Sequence, residues 1–401
     1  MLELDKANSR KRRPDCDSDW SDLASLWAIR PDTTYLNHGS FGPSPQPVRE
    51  FRRRIIDALD EQPMDFYVRQ LEPQLIKARK SLAQFIGTTY ENLVFAENAT
   101  VAMNVVADSF RLAAGDEVLL NDHEYGAVHR IWERACARVG AIVRSVVLPN
   151  PFESREQLVD SIVNAITPRT KLVIVSHITS PTGIILPVER ITAACSARNI
   201  AVCIDGPHAP AQIDINLDKL DCDFYCASCH KWLCAPLGTG FLYVHPRWHH
   251  AVQPQVLSWG RLLPNLPVRW DEQFTWSGTR DSSGYLSIPA AIEFMSAVGL
   301  DVFRARCYWL ARYAETQLIE LSGQQPIAPT NDGWYGTMCH VPLPAGDWTQ
   351  LQNQLWQQHQ IEVPIIPFAN RWFVRVSCHL YTTATQIDKL VSALQMLTRT
   401  G

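Results

Sequence analysis

The sequence lacks several features that would place it in familiar protein classes. No apolar run in its 401 residues approaches the ~20 residues that a membrane-spanning helix needs. The net charge of −4 gives no bulk reason to expect binding to nucleic acid or to a membrane surface. Neither a G-x-G-x-x-G loop nor a G-K-[ST] loop occurs, so dinucleotide-binding and P-loop proteins have no support.

Targeting and metal-binding patterns are also missing. The run from Lys11 to Arg13 is followed by Pro14 and by no apolar core, so we expect a solvated tail. Eleven cysteines without a secretory signal favour a reduced, cytoplasmic setting with mostly buried thiols. A single C-x-x-C, Cys226 to Cys229, has no second pair, and we expect structural thiols there. Three clustered histidines are expected in a surface loop, with no metal site: His245, His249 and His250.

What is present is an alternation of strand-like and helix-like segments from about residue 90 to 230. This pattern predicts a mainly parallel sheet with helices on both faces. Ligands bind such sheets at the carboxyl ends of the strands, and the loops after residues 96, 120, 177, 204 and 227 all follow such ends. The rest of the chain has helical spacing over 287–298, 303–321, 348–358 and 384–397, with strands at 336–341 and 372–376. We therefore divide the chain into a tail with one short helix (1–34), a large domain (35–285) and a small α+β domain (286–401).

One acid and one amine stand out within this alternation. An apolar run ends on Asp205, and Lys231 follows the next run, 26 residues later, just before a Gly-rich turn. A carboxylate that keeps a ring nitrogen protonated and a lysine that forms a Schiff base are what pyridoxal phosphate (PLP) requires. Taken alone, Asp205 would fit a turn or a helix cap, but the whole pattern favours PLP. Lys231 would then act as the acid and base at the substrate Cα.

Other polar residues fall where a phosphate or a ring would be bound. Ser228 and His230 flank the lysine and could donate to the phosphate. Small residues at Ala99 and Thr100 open a helix after a strand, so the backbone N–H groups there suit a phosphate, although an ordinary N-cap is the alternative. Two residues after the next strand, His123 and Tyr125, can each stack on a ring or move a proton. Their spacing does not decide between them, and either could instead be structural.

The turn-rich loop near the N-terminus is a further candidate. Asn37 and His38 lie among closely spaced glycine, serine and proline residues, which indicates a constrained loop that could reach the site. A simple turn into the next helix is the alternative.

Residues 35 to about 381 resemble the class V aminotransferase family of fold-type I PLP enzymes, and most closely its isopenicillin N epimerase-like subgroup. The resemblance rests on eight strings: YLNHGSFGPSP, ENATVAMN, NDHEYGAV, SHITSPTGIILPV, DGPHAPAQI, SCHKWLCAPLGTGFLYV, WSGTRDSSGYLSIPAAI and FVRVSCHLYTT. It implies a mainly parallel seven-stranded sheet with helices on both faces, followed by a smaller α+β domain.

The resemblance also implies roles for individual residues. Lys231 would be the Schiff-base lysine, Asp205 the partner of the pyridinium, and His208 a neighbour of the ring hydroxyl, with Ser180 nearby. Arg375 would bind the substrate α-carboxylate as a fork. Similar enzymes are homodimers with shared active sites, in which Thr279 would reach the phosphate of the neighbouring subunit. The phosphate of its own site would be held by the remaining three: Thr100, Ser228 and His230.

The family contains several reactions, and the residues narrow them only in part. Cysteine desulfurases of the family carry a nucleophilic cysteine before the carboxylate-binding arginine, but 361–372 contains none, so we expect no persulfide chemistry. Epimerase-like chemistry or C–S bond cleavage on an amino acid or an amino-acid conjugate leads the alternatives. Aminotransfer and a non-catalytic PLP-binding regulatory module follow. The intact pair of Asp205 and Lys231 favours an enzyme over such a module.

Overall fold

The computed structural model describes residues 11–261, 266–330 and 333–399. The strands within these residues are β1 (Thr34–Tyr35), β2 (Leu93–Ala96), β3 (Glu117–Asn121), β4 (Ile142–Val146), β5 (Thr170–Ser176), β6 (Ala201–Asp205), β7 (Phe224–Ser228), β8 (Gly240–Val244), β9 (Met338–Pro342), β10 (Ile361–Glu362), β11 (Ile365–Phe368) and β12 (Arg371–Ser377). The α-helices are Ser21–Ala24, Gln46–Glu61, Pro63–Asp65, Leu71–Phe85, Ala99–Ser109, Gly126–Val139, Arg155–Asn164, Val188–Ser196, Leu217–Leu220, Ser283–Leu286, Ile288–Val298, Leu300–Ser322, Leu351–His359 and Ala384–Arg399.

A seven-stranded sheet forms the centre of the molecule. Its strand order is β2-β8-β7-β6-β5-β3-β4. All neighbours pair in parallel except β8, which runs antiparallel to both β2 and β7. Strand β6 buries Val202 and Ile204 in one hydrophobic cluster and Cys203 in another, because successive side chains of a strand point to opposite faces. The mainly parallel α/β sheet, covered on both faces, is therefore confirmed.

A smaller unit follows the long helix Leu300–Ser322. It contains the antiparallel sheet β11-β12-β9, which is the small sheet expected from the C-terminal pattern. The N-terminal part of the chain is tied to this unit, since β1 pairs in parallel with β10 and Asn37 forms a bridge with Ser377. The loop at Asn37 therefore lies between the large sheet and the small one.

The expectation of a solvated tail at residues 11–13 is wrong for Arg12. Its guanidinium is paired with Asp22 and lies over the buried ring of Trp20 at 5.8 Å. Trp20 and Trp27 are themselves part of the large hydrophobic cluster. The composition of the segment is polar, but its two tryptophans provide enough apolar surface to hold it against the body of the protein.

Other expectations from the sequence can be compared directly. Ten of the eleven cysteines are buried and none forms a disulfide, which confirms mostly buried thiols. Strand β11 was not expected, and part of the segment 253–276, predicted to be irregular, lies outside the described residues.

Among the described helices no single one is long and apolar enough to cross a membrane. Ser283–Val298 and Leu300–Ser322 meet the length and composition criteria only as a pair bent by 76°.

A glycine after β6 provides a test of the packing beside the candidate site. A Cβ atom on Gly206 would lie 2.2 Å from the buried ring of Tyr225, whereas a Cβ atom on the exposed Gly126 would contact nothing. We expect Gly206→Ala to lower the free energy of unfolding by about 1–3 kcal/mol, because overpacking forces the ring or the backbone to shift. Urea denaturation measures this, with Gly126→Ala as the control. Equal stability of the two variants would contradict the packing described.

Candidate active site

The carboxylate and the amine come from adjoining strands. Strand β6 ends at Asp205 and β7 ends at Ser228, three residues before Lys231. The two strands pair in parallel, and the N–H of Gly206 donates to the Cys226 carbonyl at 2.8 Å. The two residues picked out from the sequence are thus brought to the same edge of the sheet.

His208 lies against the lysine. Its Nε2 is 3.0 Å from Lys231 Nζ, and its Nδ1 accepts a hydrogen bond from the indole N–H of Trp232 at 3.3 Å. Because the indole can only donate, Nε2 carries the proton of the neutral imidazole. Burial keeps the pKa of His208 well below 6.5, and nearby Lys231 and Arg375 lower it further. The imidazole N–H therefore faces Lys231 and favours its neutral amine.

The electrostatics of the pocket are dominated by the removal of water. Burial and then the charge of Arg375 lower the pKa of Lys231 to about 7, although Asp205 opposes the shift. Burial raises the pKa of Asp205 to about 7, with Lys231 opposing. Within the described part of the chain the Asp205 carboxylate receives no hydrogen bond. It is an acceptor ready for a cationic partner.

The start of the helix Ala99–Ser109 faces the same edge of the sheet. The Asn98 side chain caps it by accepting from the N–H of Val101 at 2.9 Å, and Ser228 Oγ accepts from the N–H of Ala99 at 3.2 Å. A Cβ atom at Gly240 would come 3.0 Å from Asn98 Cα, so this glycine permits the close approach. The exposed Thr100 adds a hydroxyl at the first turn. Backbone N–H groups and the helix dipole make this turn suitable for a phosphate.

Two further residues assigned to the phosphate have distinct positions. His230 is half-buried, and its Nδ1 donates to the Thr239 carbonyl at 2.9 Å, which holds the ring orientation. Thr279 is exposed in the loop before Arg280. The contact of Thr279 with the phosphate of a neighbouring subunit stays a prediction.

His123 and Tyr125 differ in how far each is exposed to solvent. His123 is fully buried, with Nδ1 2.8 Å from Thr182 Oγ1 and Nε2 without a partner among the described residues. Burial lowers the pKa of His123 to about 4, so the ring is neutral. Tyr125 precedes the helix Gly126–Val139 and is 49% exposed. Which of the two stacks on a cofactor ring stays a prediction.

Arg375 lies in β12 of the small unit and points back toward the large one. It donates to the Ser180 carbonyl and, at 3.0 Å, to Ser40 Oγ. Its Nε has no partner among the described residues, and burial lowers its pKa to about 10. Asn37 Nδ2 donates to Glu362 Oε1 at 3.2 Å in the same region. Arg375 is therefore hydrogen-bonded to the backbone of Ser180 rather than to its side chain.

Sequence reasoning missed Glu124, which lies behind Asp205. Its carboxyl group accepts from the Ser176 N–H at 2.8 Å, from Ser176 Oγ at 2.6 Å and from the Asn121 amide. Burial raises the pKa of Glu124 to about 8, and the charge of Asp205 contributes, although the hydrogen bonds oppose the rise. A signal was present, since Glu124 follows a buried strand beside His123, but a carboxylate at a strand end is common.

A buried cluster beneath the lysine could be mistaken for a metal site. The ligand atoms of His38, Cys234 and His379 lie within 4.8 Å of one another. The Nε2 of His38, however, is 3.1 Å from the Lys231 carbonyl, and its Nδ1 is 2.8 Å from Tyr381 Oη. Since a carbonyl only accepts, Nε2 carries a proton and has no free lone pair. His38 therefore anchors the backbone at Lys231.

Comparison with known proteins identifies the family. The model of the family "Aminotransferase class-V" matches residues 66–390. The chain belongs to the class V aminotransferase family. Two isopenicillin N epimerases, from Amycolatopsis lactamdurans and Streptomyces clavuligerus, are 37% and 35% identical to it, and each alignment covers 95% of this chain and 99% of the relative.

Solved structures agree on the fold. A cystine C–S lyase, C-DES, in complex with cysteine persulfide has a TM-score of 0.77 at 23% identity, covering 91% of this chain and 98% of the other. The cysteine desulfurase from Thermococcus onnurineus NA1 has a TM-score of 0.78 at 19% identity, covering 95% and 98%. The fold-type I architecture is therefore confirmed.

The same comparisons identify pyridoxal phosphate as the cofactor of this family member. The residues fit it. Asp205 offers a buried carboxylate that receives no hydrogen bond from the described residues, Lys231 a buried amine of lowered pKa, and the first turn after Asn98 the positive end of a helix dipole with the N–H of Thr100. The chain belongs to a family of PLP-dependent enzymes whose members perform several reactions.

Desulfurase chemistry is not excluded by these comparisons. Relatives named cysteine desulfurase from Escherichia coli are 28% identical over 353 residues. The argument against this chemistry rests only on the residues of 361–372, which form β10, β11 and the start of β12 and contain no cysteine. It stays a prediction.

The raised pKa of the buried Glu124 predicts a contribution to protein stability that depends on pH. The pKa of Glu124 in the folded protein, about 8, lies above the ordinary value of 4.5. The folded state therefore keeps a proton that the unfolded state has lost, and stability falls as the pH rises from about 4.5 to 8. We expect Glu124→Gln to reduce the loss of unfolding free energy between pH 5 and pH 8 by at least about 1 kcal/mol. Urea denaturation at both pH values tests this, with the exposed Glu133→Gln as the control. An unchanged slope would show that Glu124 ionises normally.

Proposed function

We propose that the protein removes and returns the Cα proton of an amino acid or amino-acid conjugate, an epimerase-like reaction. The observation that carries the proposal is the Lys231 amine, buried beside Asp205, His208 and Arg375 with its pKa lowered to about 7. An amine with this pKa can take up and release a proton near neutral pH. The similarity to two isopenicillin N epimerases over nearly the whole of each chain supports this choice.

In this proposal each residue has a defined task. PLP, when bound, supplies an electron sink for negative charge that develops on Cα. Asp205 would keep the ring nitrogen protonated, and Arg375 would hold the α-carboxylate through its fork. The turn at Ala99 and Thr100, together with Ser228 and His230, would hold the phosphate. Lys231 would act as acid and base on one face of Cα.

Epimerisation also requires a proton to be delivered on the opposite face. His123 is the residue we assign to this face, because its ring is buried and Nε2 has no partner among the described residues. Tyr125 remains the alternative for proton transfer. Its 49% exposure makes it the weaker choice.

C–S bond cleavage is the second candidate. Relatives named as probable L-cysteine desulfhydrase, such as the chloroplastic protein of Arabidopsis thaliana at 25% identity, and the C–S lyase fold both favour it. Cleavage begins with the same proton removal by Lys231 and needs an acid near the leaving sulfur. Aminotransfer comes third.

The proposal also includes a homodimer, in which Thr279 reaches the phosphate of the neighbouring subunit, and a cytoplasmic setting.

The role of Lys231 is tested first with the cofactor itself. We expect purified protein incubated with PLP to show a visible absorption band that borohydride reduces, with the cofactor then attached to the peptide containing Lys231. Lys231→Ala should lose both the band and the attachment, because no other described amine lies beside His208 and Asp205. Lys219→Ala, at an exposed lysine, should keep both. Attachment elsewhere in the wild type would overturn the assignment.

The reaction is decided by what happens to the substrate. In D₂O we expect deuterium to enter at Cα of an amino acid without breakdown of the molecule, because proton removal is followed by proton return. Nuclear magnetic resonance measures the exchange, and coupled assays measure pyruvate and ammonia. Release of pyruvate and ammonia from a cysteine conjugate at a rate above that of exchange would select the lyase instead. Lys231→Ala should abolish either outcome.

A further inference from the structure

The backbone carbonyl of Lys231 accepts two hydrogen bonds. The N–H of Cys234 donates to it at 2.9 Å and closes a turn, and Nε2 of His38 donates at 3.1 Å from the N-terminal loop. Both lone pairs of the carbonyl oxygen are therefore used. Cys234 has a φ of 60°, in the left-handed region that residues with a side chain rarely adopt. The turn that carries the lysine thus has an unfavourable backbone conformation, and His38 supports it from outside.

The ring of His38 is oriented from its other side by Tyr381. Burial lowers the pKa of His38 to about 3, so the ring is neutral, and with its proton on Nε2 its Nδ1 can only accept. Burial also raises the pKa of Tyr381 well above 10, so the hydroxyl keeps its proton and donates to Nδ1 at 2.8 Å. Two hydrogen bonds of fixed direction therefore lead from Tyr381 through His38 to the carbonyl of Lys231.

Tyr381 belongs to the part of the chain that carries Arg375. Arg375 lies in β12, which ends at Ser377, and Tyr381 is in the turn that follows. That turn is closed by two hydrogen bonds, from the N–H of Thr382 to the His379 carbonyl at 2.8 Å and from the N–H of His379 to Thr382 Oγ1 at 3.0 Å. The Tyr381 ring is therefore held in a fixed position relative to the strand of Arg375.

We propose that Tyr381 and His38 are positioning residues that hold Lys231 at a fixed place relative to Arg375. The Tyr381 hydroxyl orients the imidazole, and the imidazole orients the carbonyl of the lysine. Both rings act through Lys231 and do not contact the substrate, since His38 is fully buried and Tyr381 is 7% exposed. The inference rests on the proposed function, which places the amino-acid head of the substrate between Lys231 and Arg375.

The first test removes one oxygen atom. With Tyr381→Phe we expect the rate constant for attachment of PLP to Lys231, at saturating PLP, to fall about tenfold, because a displaced amine reaches the aldehyde less often. The PLP concentration for half-saturation should stay within about twofold of wild type, because other residues hold the phosphate. Stopped-flow absorbance measures both quantities. Tyr225→Phe is the matched control, because it removes a buried hydroxyl that lies 2.8 Å from His177 Nδ1, outside these two hydrogen bonds, and it should keep the wild-type rate constant.

The pH profile of attachment separates loss of position from loosened packing. The groups that act on the charge of Lys231 come from several elements: Asp205, His208, Arg375, His38 and His230. Tyr381→Phe changes none of them, so the midpoint of the rise in rate with pH should be the same as in wild type. Water entering a loosened site would instead raise the pKa of Lys231 and move the midpoint upward, which would overturn the proposal.

A pair of His38 variants tests the second hydrogen bond and decides the question if Tyr381→Phe does not fold. His38→Gln keeps an N–H donor for the Lys231 carbonyl, and the attachment rate constant should stay within about threefold of wild type. His38→Leu has a similar volume and no donor, and the rate constant should fall about tenfold or more. Thermal unfolding verifies that each variant is folded.

The outcomes separate this inference from the function on which it rests. Attachment of PLP to another residue in the wild type would overturn the proposed function, and this inference with it. Attachment to Lys231 at the same rate in wild type and in Tyr381→Phe would overturn only the positioning role. An equal fall in Tyr225→Phe, or equal rates in the two His38 variants, would overturn it as well, because the loss would then not depend on these hydrogen bonds.

Discussion

The exclusion of water from one edge of the central sheet is the constraint on which the rest of the site depends. Lys231 and Arg375 are both basic side chains, and neither has enough negative charge beside it to compensate for burial. Desolvation therefore lowers the pKa of the lysine and raises that of Asp205, which disfavours the charged form of each side chain. A cofactor with a basic ring nitrogen and an anionic phosphate provides the charges that this edge lacks.

The geometry of this edge depends on close contact between the N-terminal loop and two other parts of the chain. A Cβ atom on Gly42 would lie 2.7 Å from the Lys231 carbonyl, so only glycine lets the loop pass there. The backbone of Leu36 donates to Glu362 and accepts from Ser377, which joins the loop to the small sheet. The loop thus sets the position of Arg375 relative to Lys231.

Some of the site could be predicted because local pattern and chemistry coincide. Asp205 and Lys231 each follow a buried run, and parallel strands place such positions at one edge. Glu124 and Ser40 could not be singled out in this way, because their importance comes from contacts with Ser176 and Arg375, which are 52 and 335 residues away in sequence. The packing of Arg12 against Trp20 was missed for a different reason: a polar composition conceals two tryptophans that anchor the segment.

The sequence alone determined the fold class and the cofactor, because these depend on periodicity and on residue types in a fixed order along the chain, and it predicts Lys231 as the lysine that binds the cofactor. Tertiary structure decided which of His123 and Tyr125 is buried, which nitrogen of His208 faces the lysine, and that Asn37 donates to Glu362. These properties depend on the direction of side chains from segments distant in sequence. Only packing of the large sheet, the small sheet and the N-terminal loop against one another fixes those directions.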